Sequence, residues 1–184
     1  SAILPQRYIL YVGTRYPYKN FDRFIKAFSL LSSKDKNLYV ICTGSPFSMN
    51  EKNLFESLNI SRKVMQIQAS DELLYTLYNQ AEAFVFPSLY EGFGIPILEA
   101  YACHCPVIIS NTSCFPEIAS DAAAYFNPYS EMEIADTIAN VIYNQTLRAE
   151  LIYKGSERLK LYSWEKAALQ TKEVYQKVMN NKII

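Results

Sequence analysis

What most limits the fold of this chain is a recurrence. Short runs of β-branched and aromatic residues alternate with stretches whose apolar residues step by three and four. The runs are Tyr8 to Val12, Leu38 to Cys42, Val64 to Ile67, Ala83 to Phe86, Val107 to Ile109 and Ala123 to Phe126. Each is too short for a helix and lacks polar alternation, so each suits a strand covered on both faces. Between the first two, Phe21, Phe24, Ile25, Phe28 and Leu31 line one helical stripe. Leu73, Leu74, Leu77, Tyr78 and Ala81 form another, behind a cap at Ser70 or Asp71. Crossovers long enough to hold a helix imply a parallel sheet covered on both sides. The expected fold is α/β, a Rossmann-like three-layer domain with a parallel sheet of about six strands. Its ligand belongs outside the carboxyl ends of the strands.

Beyond Pro128 the pattern turns purely helical, with helices expected over Glu131 to Tyr143, Leu147 to Leu161 and Trp164 to Met179. Trp164 begins a stripe continued by Ala168, Thr171, Val174, Tyr175 and Val178, and is expected to anchor that last helix by packing. No repeat or linker interrupts the chain, and its length supports one core, so residues 1–184 read as a single domain.

Composition removes several classes. Lys plus Arg and Asp plus Glu are equal at 18 each, so the overall charge offers no attraction for nucleic acid. No apolar run is long enough to span a membrane, and Ser1 to Gln6 lacks the features of a secretory leader. A cytoplasmic setting is expected, with attachment of a longer enzyme to the inner face of the membrane left open. Cys42, Cys103, Cys105 and Cys114 form no C-x-x-C pair, and they read as reduced, buried small residues and not as a metal site. His104, the only histidine, sits in a loop without a visible catalytic partner. No G-x-G-x-x-G follows the first strand, which argues against a dinucleotide dehydrogenase.

Two segments carry chemistry. Residues 11–20, Tyr-Val-Gly-Thr-Arg-Tyr-Pro-Tyr-Lys-Asn, leave the first strand through Gly13 and set Arg15 and Lys19 at the carboxyl edge of the sheet. Arginine forks onto phosphate oxygens and lysine meets them as a point charge. Residues 84–100 leave a strand at Pro87 and cross a loop holding Gly92 and Gly94. They enter a helix with Pro96 in its first turn, where free backbone amides make an anion site. Glu91 and Glu99 flank that site with seven residues between them. Carboxylates repel phosphates but accept two hydrogen bonds from vicinal hydroxyls. Phosphates in the middle with a diol at either end describe a nucleoside diphosphate sugar.

With these residues in place the chain resembles the C-terminal domain of the retaining glycosyltransferases of family four, which have the two-lobed GT-B architecture. The resemblance rests on Val12-Gly13 with Lys19-Asn20-Phe21, on Pro87-Ser88, and on Glu91-Gly92-Phe93-Gly94-Ile95-Pro96 with Leu98-Glu99-Ala100. It continues through Pro106-Val107, Ser113 and Pro116-Glu117. It implies that Arg15 and Lys19 neutralise the donor diphosphate, that Glu91 touches the donor sugar and that Glu99 binds the ribose. Gly13, Thr14 and the amides of Phe93, Gly94 and Ile95 would lie against the donor, and Gly44 near its base or ribose. The donor would be UDP- or GDP-linked, without a metal or other cofactor. The acceptor, a glycan or lipid-linked glycan, would be bound by an N-terminal lobe that these 184 residues do not include. Arg15 departs from the family pattern by standing two residues after Gly13, where many members place it one residue after, and His104 replaces a frequent glycine. An epimerase lobe of the same architecture and a non-catalytic nucleotide-sugar module are the alternatives.

Overall fold

The computed structural model describes residues 4–180; the two ends of the chain lie outside it. Six parallel strands form one sheet: β1 (Tyr8–Tyr11), β2 (Tyr39–Thr43), β3 (Val64–Ile67), β4 (Ala83–Phe86), β5 (Val107–Ser110) and β6 (Ala124–Phe126). Their order across the sheet is β3-β2-β1-β4-β5-β6. The chain therefore winds outward from β1 in one direction and from β4 in the other. Between these two strands the order reverses, and the helices on either side diverge to leave a crevice at the carboxyl edge.

The alternation of side chains along each strand builds the three layers. Ile9, Tyr11, Val40, Cys42, Val85 and Ile108 project to one face, where they pack with α1 (Phe21–Lys34), α2 (Met49–Ser57) and α6 (Glu131–Tyr143). Tyr8, Leu10, Ile41, Phe84, Phe86, Val107 and Ile109 project to the other, against α3 (Asp71–Gln80), α4 (Ile95–Ala102) and α5 (Phe115–Ala119). The inner strands β1, β4 and β5 are buried throughout. The expectation of full burial fails at β3 and β6, which are only partly covered because they are the sheet's edges.

Short polar side chains begin most of the helices. Ser48 caps α2, Ser70 caps α3, Ser130 caps α6, and Asn144 caps α7 (Gln145–Leu159), each accepting a backbone N–H three residues on. Helix α7 crosses α4 so closely that a Cβ on Gly155 would stand 2.4 Å from the Tyr101 ring, so only glycine fits there.

The last helix, α8 (Trp164–Asn180), corrects one expectation. It forms where the periodicity puts it but contains no buried residue, and Trp164 is 82% exposed. Trp164 is not a packing anchor among the described residues. Among the described residues the inner strands are already covered by the preceding helices, and the stripe of α8 packs against none of them. His104 is exposed at φ +53, a left-handed turn that explains why glycine suits this position. Cys42, Cys103 and Cys105 are buried as expected, whereas Cys114 is only half-buried.

Candidate functional site

β1 delivers the first half of the site. After Tyr11 the chain turns at Gly13, with φ +115, and runs through a single 3₁₀ turn at Pro17–Lys19 into α1. Asn20 makes this entry possible, since it takes the left-handed conformation at φ 56 and donates from Nδ2 to the Pro128 carbonyl at 2.8 Å. Lys19 is thereby held with its Nζ 2.6 Å from Glu91 Oε1, both side chains about 15% exposed. The ammonium also lies 5.3 Å from the ring centre of Phe86, the last residue of β4.

β4 delivers the second half. The Leu89 amide donates to the Tyr18 carbonyl at 2.8 Å, which stitches the loop after β4 to the loop after β1. The chain then reaches Gly94, which starts α4 at φ +94. Pro96 has no N–H to leave unpaired and the Ile97 amide donates to the Gly94 carbonyl at 2.9 Å, which leaves the amides of Gly94 and Ile95 without a carbonyl within the helix. One turn further, Glu99 accepts a hydrogen bond from the Tyr78 hydroxyl at 3.1 Å. Burial, reinforced by the neighbouring Glu99 carboxylate, raises the Tyr78 hydroxyl well above its ordinary range, so it remains a donor.

A third loop, after β5, props the second. Ser113 Oγ accepts from the Glu91 amide at 3.1 Å and donates to its carbonyl at 2.9 Å, Thr112 Oγ1 donates to the Leu89 carbonyl, and the Cys114 thiol reaches the Glu91 and Phe93 carbonyls. Phe93 and Ile95 are themselves exposed, the Phe93 ring meeting Tyr162 edge-on. At the strand ends beneath, the hydroxyls of Ser88 and Ser110 are buried without a partner among the described residues. Unsatisfied buried groups of this kind cost about 1–3 kcal/mol each and call for a reason.

On the other side, Gly44 sits at φ +103 against Gly13, whose carbonyl oxygen would lie 2.8 Å from a Cβ on Gly44. The ends of β1 and β2 can meet this closely only because residue 44 has no side chain. Thr43, Gly44, Ser45, Pro46, Gln68, Ala69 and Leu74 line a cavity of about 440 Å³ opening here. Thr14 is exposed, and its carbonyl accepts from the Tyr11 hydroxyl at 2.7 Å. A larger hollow of about 540 Å³ lies at the β6 edge, bordered by Asp121, Asp136, Glu150 and Lys154, away from Lys19, Glu91, Glu99 and Gly44.

Arg15 lies on the same loop as Lys19 but turns the opposite way. Its Nε donates to Glu51 Oε1 at 2.5 Å, and its Nη2 to the carbonyls of Ser45 at 2.5 Å and Pro46 at 3.1 Å. Glu51 is the third residue of α2 and accepts from the Ser48 amide and hydroxyl in a capping box. Burial acts to raise its carboxyl, but the hydrogen bonds from Ser48 and Arg15 outweigh that and hold it below the usual range. Of the residues singled out in the sequence, Lys19 and Glu91 are paired across the loops after β1 and β4, Gly94 and Glu99 stand at the start of α4 and one turn into it, Gly13, Thr14 and Gly44 lie at the ends of β1 and β2, and Arg15 pairs with Glu51 instead. The supporting roles of Glu51, Tyr78, Thr112 and Cys114 were not foreseen. The Ser48-x-x-Glu51 spacing was a visible signal for the first of these; the others depend on long-range packing.

The family description that matches residues 2–158 is "Glycosyl transferases group 1". The chain is 32% identical over 174 residues to O-antigen chain mannosyltransferase B of Escherichia coli, a match covering 92% of this chain and 46% of that protein. It is 36% identical over 137 residues to O-antigen chain mannosyltransferase RfbU of Salmonella typhimurium, covering 74% and 38%. It therefore spans less than half the length of these relatives. Among solved structures, sucrose-phosphate synthase from Thermosynechococcus elongatus superposes with a TM-score of 0.83 at 24% identity, over 95% of this chain and 46% of that one. The C-terminal domain of a group 1 glycosyl transferase from Francisella tularensis gives 0.74 at 24% identity, over 86% and 87%.

Proposed function

The chain belongs to the group 1 glycosyl transferases, and we propose that it is the lobe that binds the nucleotide-sugar donor in an enzyme that retains the anomeric configuration. The donor sugar would be mannose, since relatives 32% and 36% identical to this chain are named O-antigen chain mannosyltransferases. The observation that supports this reading is the Lys19–Glu91 ion pair, which joins the loops after β1 and β4 where the strand order reverses, just before the α4 N-terminus at Gly94.

In this scheme the diphosphate lies across the crevice between β1 and β4. Lys19 and the first amides of α4 meet the negative charge that grows on it as the glycosidic bond breaks. Glu99, aimed by Tyr78, accepts from the ribose hydroxyls, and the cavity beside Gly44 takes the base. Glu91 faces the sugar while holding Lys19 in place. No protein nucleophile and no metal take part. The acceptor would be presented by a second lobe, and the donor lobe alone would transfer sugar slowly, because positioning of the second reactant supplies much of the rate.

Calorimetry with GDP, UDP, GDP-mannose and UDP-glucose tests the reading. One of the nucleotides is expected to bind, with Lys19→Ala and Glu99→Ala each weakening it about tenfold or more. If no nucleotide binds at millimolar concentration, or if both variants bind as the parent does, the donor-lobe assignment is wrong.

A further inference from the structure

We propose that Arg15 and Glu51 form a brace that shapes the nucleoside end of the cleft, Arg15 acting as a positioning residue and not as a ligand of the diphosphate. This rests on the donor-lobe reading above for the identity of what the cleft holds, but the brace itself is a matter of geometry.

The guanidinium has little left to offer a ligand. Nε is engaged by Glu51, and Nη2 by the carbonyls of Ser45 and Pro46. The Phe47 ring centre lies 4.9 Å from its central carbon and that of Phe21 5.6 Å. Nη1 has no partner, but less than 1 Å² of it is accessible. It lies 3.7 Å from where a Cβ on Gly44 would stand, beneath the turn and not in the opening. The side chain as a whole is 6% exposed. A phosphate oxygen must come within about 3 Å of an N–H to bond it, and no N–H of Arg15 is open to that approach while the loop stays where it is.

That loop, residues 44–48, joins β2 to α2, and its residues Gly44, Ser45 and Pro46 form one wall of the 440 Å³ cavity. One carboxylate fastens it at both ends. Glu51 Oε1 takes Arg15, while Oε2 takes the amide and hydroxyl of Ser48 at 2.6 and 2.7 Å. Arginine suits this task because its planar fork bonds a carboxylate and two carbonyls at once, which a lysine ammonium cannot do in the same plane. The two cations of the β1 loop therefore divide the labour. Lys19 faces the middle of the cleft, and Arg15 holds the wall at its far end.

The test compares nucleoside diphosphates with monophosphates on the 184-residue chain. GDP, GMP, UDP and UMP are titrated into the parent, Arg15→Ala, Glu51→Ala and Lys19→Ala. Both brace variants are expected to weaken the diphosphate and the monophosphate of the recognised base by the same factor, about tenfold, so that their ratio stays at the parent value. Lys19→Ala lowers that ratio. The double variant Arg15→Ala/Glu51→Ala binds no worse than either single one, because the pair acts as a unit. An Arg15→Ala protein that loses affinity for the diphosphate alone makes Arg15 a phosphate ligand and overturns the brace.

Hydrogen exchange gives a readout that needs no nucleotide. The amides of residues 45–48, apart from that of Pro46, are expected to exchange about tenfold faster in both brace variants. Those of β1 and α1 stay at parent rates, which also shows that the variants are folded; unchanged exchange in the loop sinks the proposal. If neither GDP nor UDP binds the parent, the donor-lobe reading fails while the exchange rates still decide the brace. Should Arg15→Ala not fold, Arg15→Lys carries the same test, with both effects smaller but in the same direction.

Discussion

Helices α1 and α8 both carry apolar stripes and meet opposite fates. In α1 the stripe of Phe21, Phe24, Ile25, Phe28 and Leu31 is buried from end to end, whereas α8 leaves Trp164, Val174, Tyr175, Val178 and Met179 in solvent. The difference lies in connectivity. α1 bridges β1 and β2, two adjacent parallel strands, and a crossover of that kind must lie on the sheet. α8 follows the last described strand and two further helices, and the first of these, α6, has already packed against the sheet. Periodicity declares that a helix has a face to cover; the chain's path decides what, if anything, covers it.

The sharpest way to break this comparison is to truncate α1. Phe28→Ala removes a ring with no exposed surface and should cost about 3–5 kcal/mol; a loss below about 1 kcal/mol in chemical denaturation would mean that α1 is not held as described. A smaller effect is expected where α1 ends. Asp35 accepts from the Tyr143 hydroxyl, the Asn37 amide and Arg7, and these contacts, the tyrosine's first, hold its carboxyl below the ordinary value. A depressed carboxyl stabilises the fold above the unfolded value of about 3.9. That contribution, less than about 1 kcal/mol for a solvent-screened group, disappears as pH falls through the lower folded value. Asp35→Asn should abolish this part of the acid dependence, which parallel denaturation at pH 3 and pH 6 would reveal. The smallest effect belongs to α8. Val174→Ala and Tyr175→Ser should change the stability of the 184-residue chain by no more than about 0.5 kcal/mol. A loss above about 1 kcal/mol would show that the stripe is covered in solution and would remove the contrast with α1.

Much of the fold was legible from local pattern alone. Each strand was announced by a short apolar run, and the chain order of strands and helices made the sheet parallel. Which strands lie at the edges was not legible, because sheet order is settled by packing and not by any one run; β3 and β6 are short, mostly apolar runs like β4 but are only partly covered. At the site, Lys19, Glu91 and Glu99 could be found because their chemistry and spacing pointed to one kind of ligand. Their supports could not. Tyr78 reaches Glu99 from another helix, Ser113 reaches Glu91 from the next loop, and Glu51 takes Arg15 from a helix 36 residues away in sequence. Sequence named the charged groups; which group each would face depended on elements brought together only by folding.

The cross-stitching of the loops after β1, β4 and β5 has a further consequence. Leu89 is tied to Tyr18, Glu91 to Lys19, and Ser113 to both backbone groups of Glu91. Three segments leaving three different strands are thus tied into one unit. On the donor-lobe reading proposed above, a guest would forfeit little binding energy to ordering these loops, so selectivity would fall to complementarity of outline.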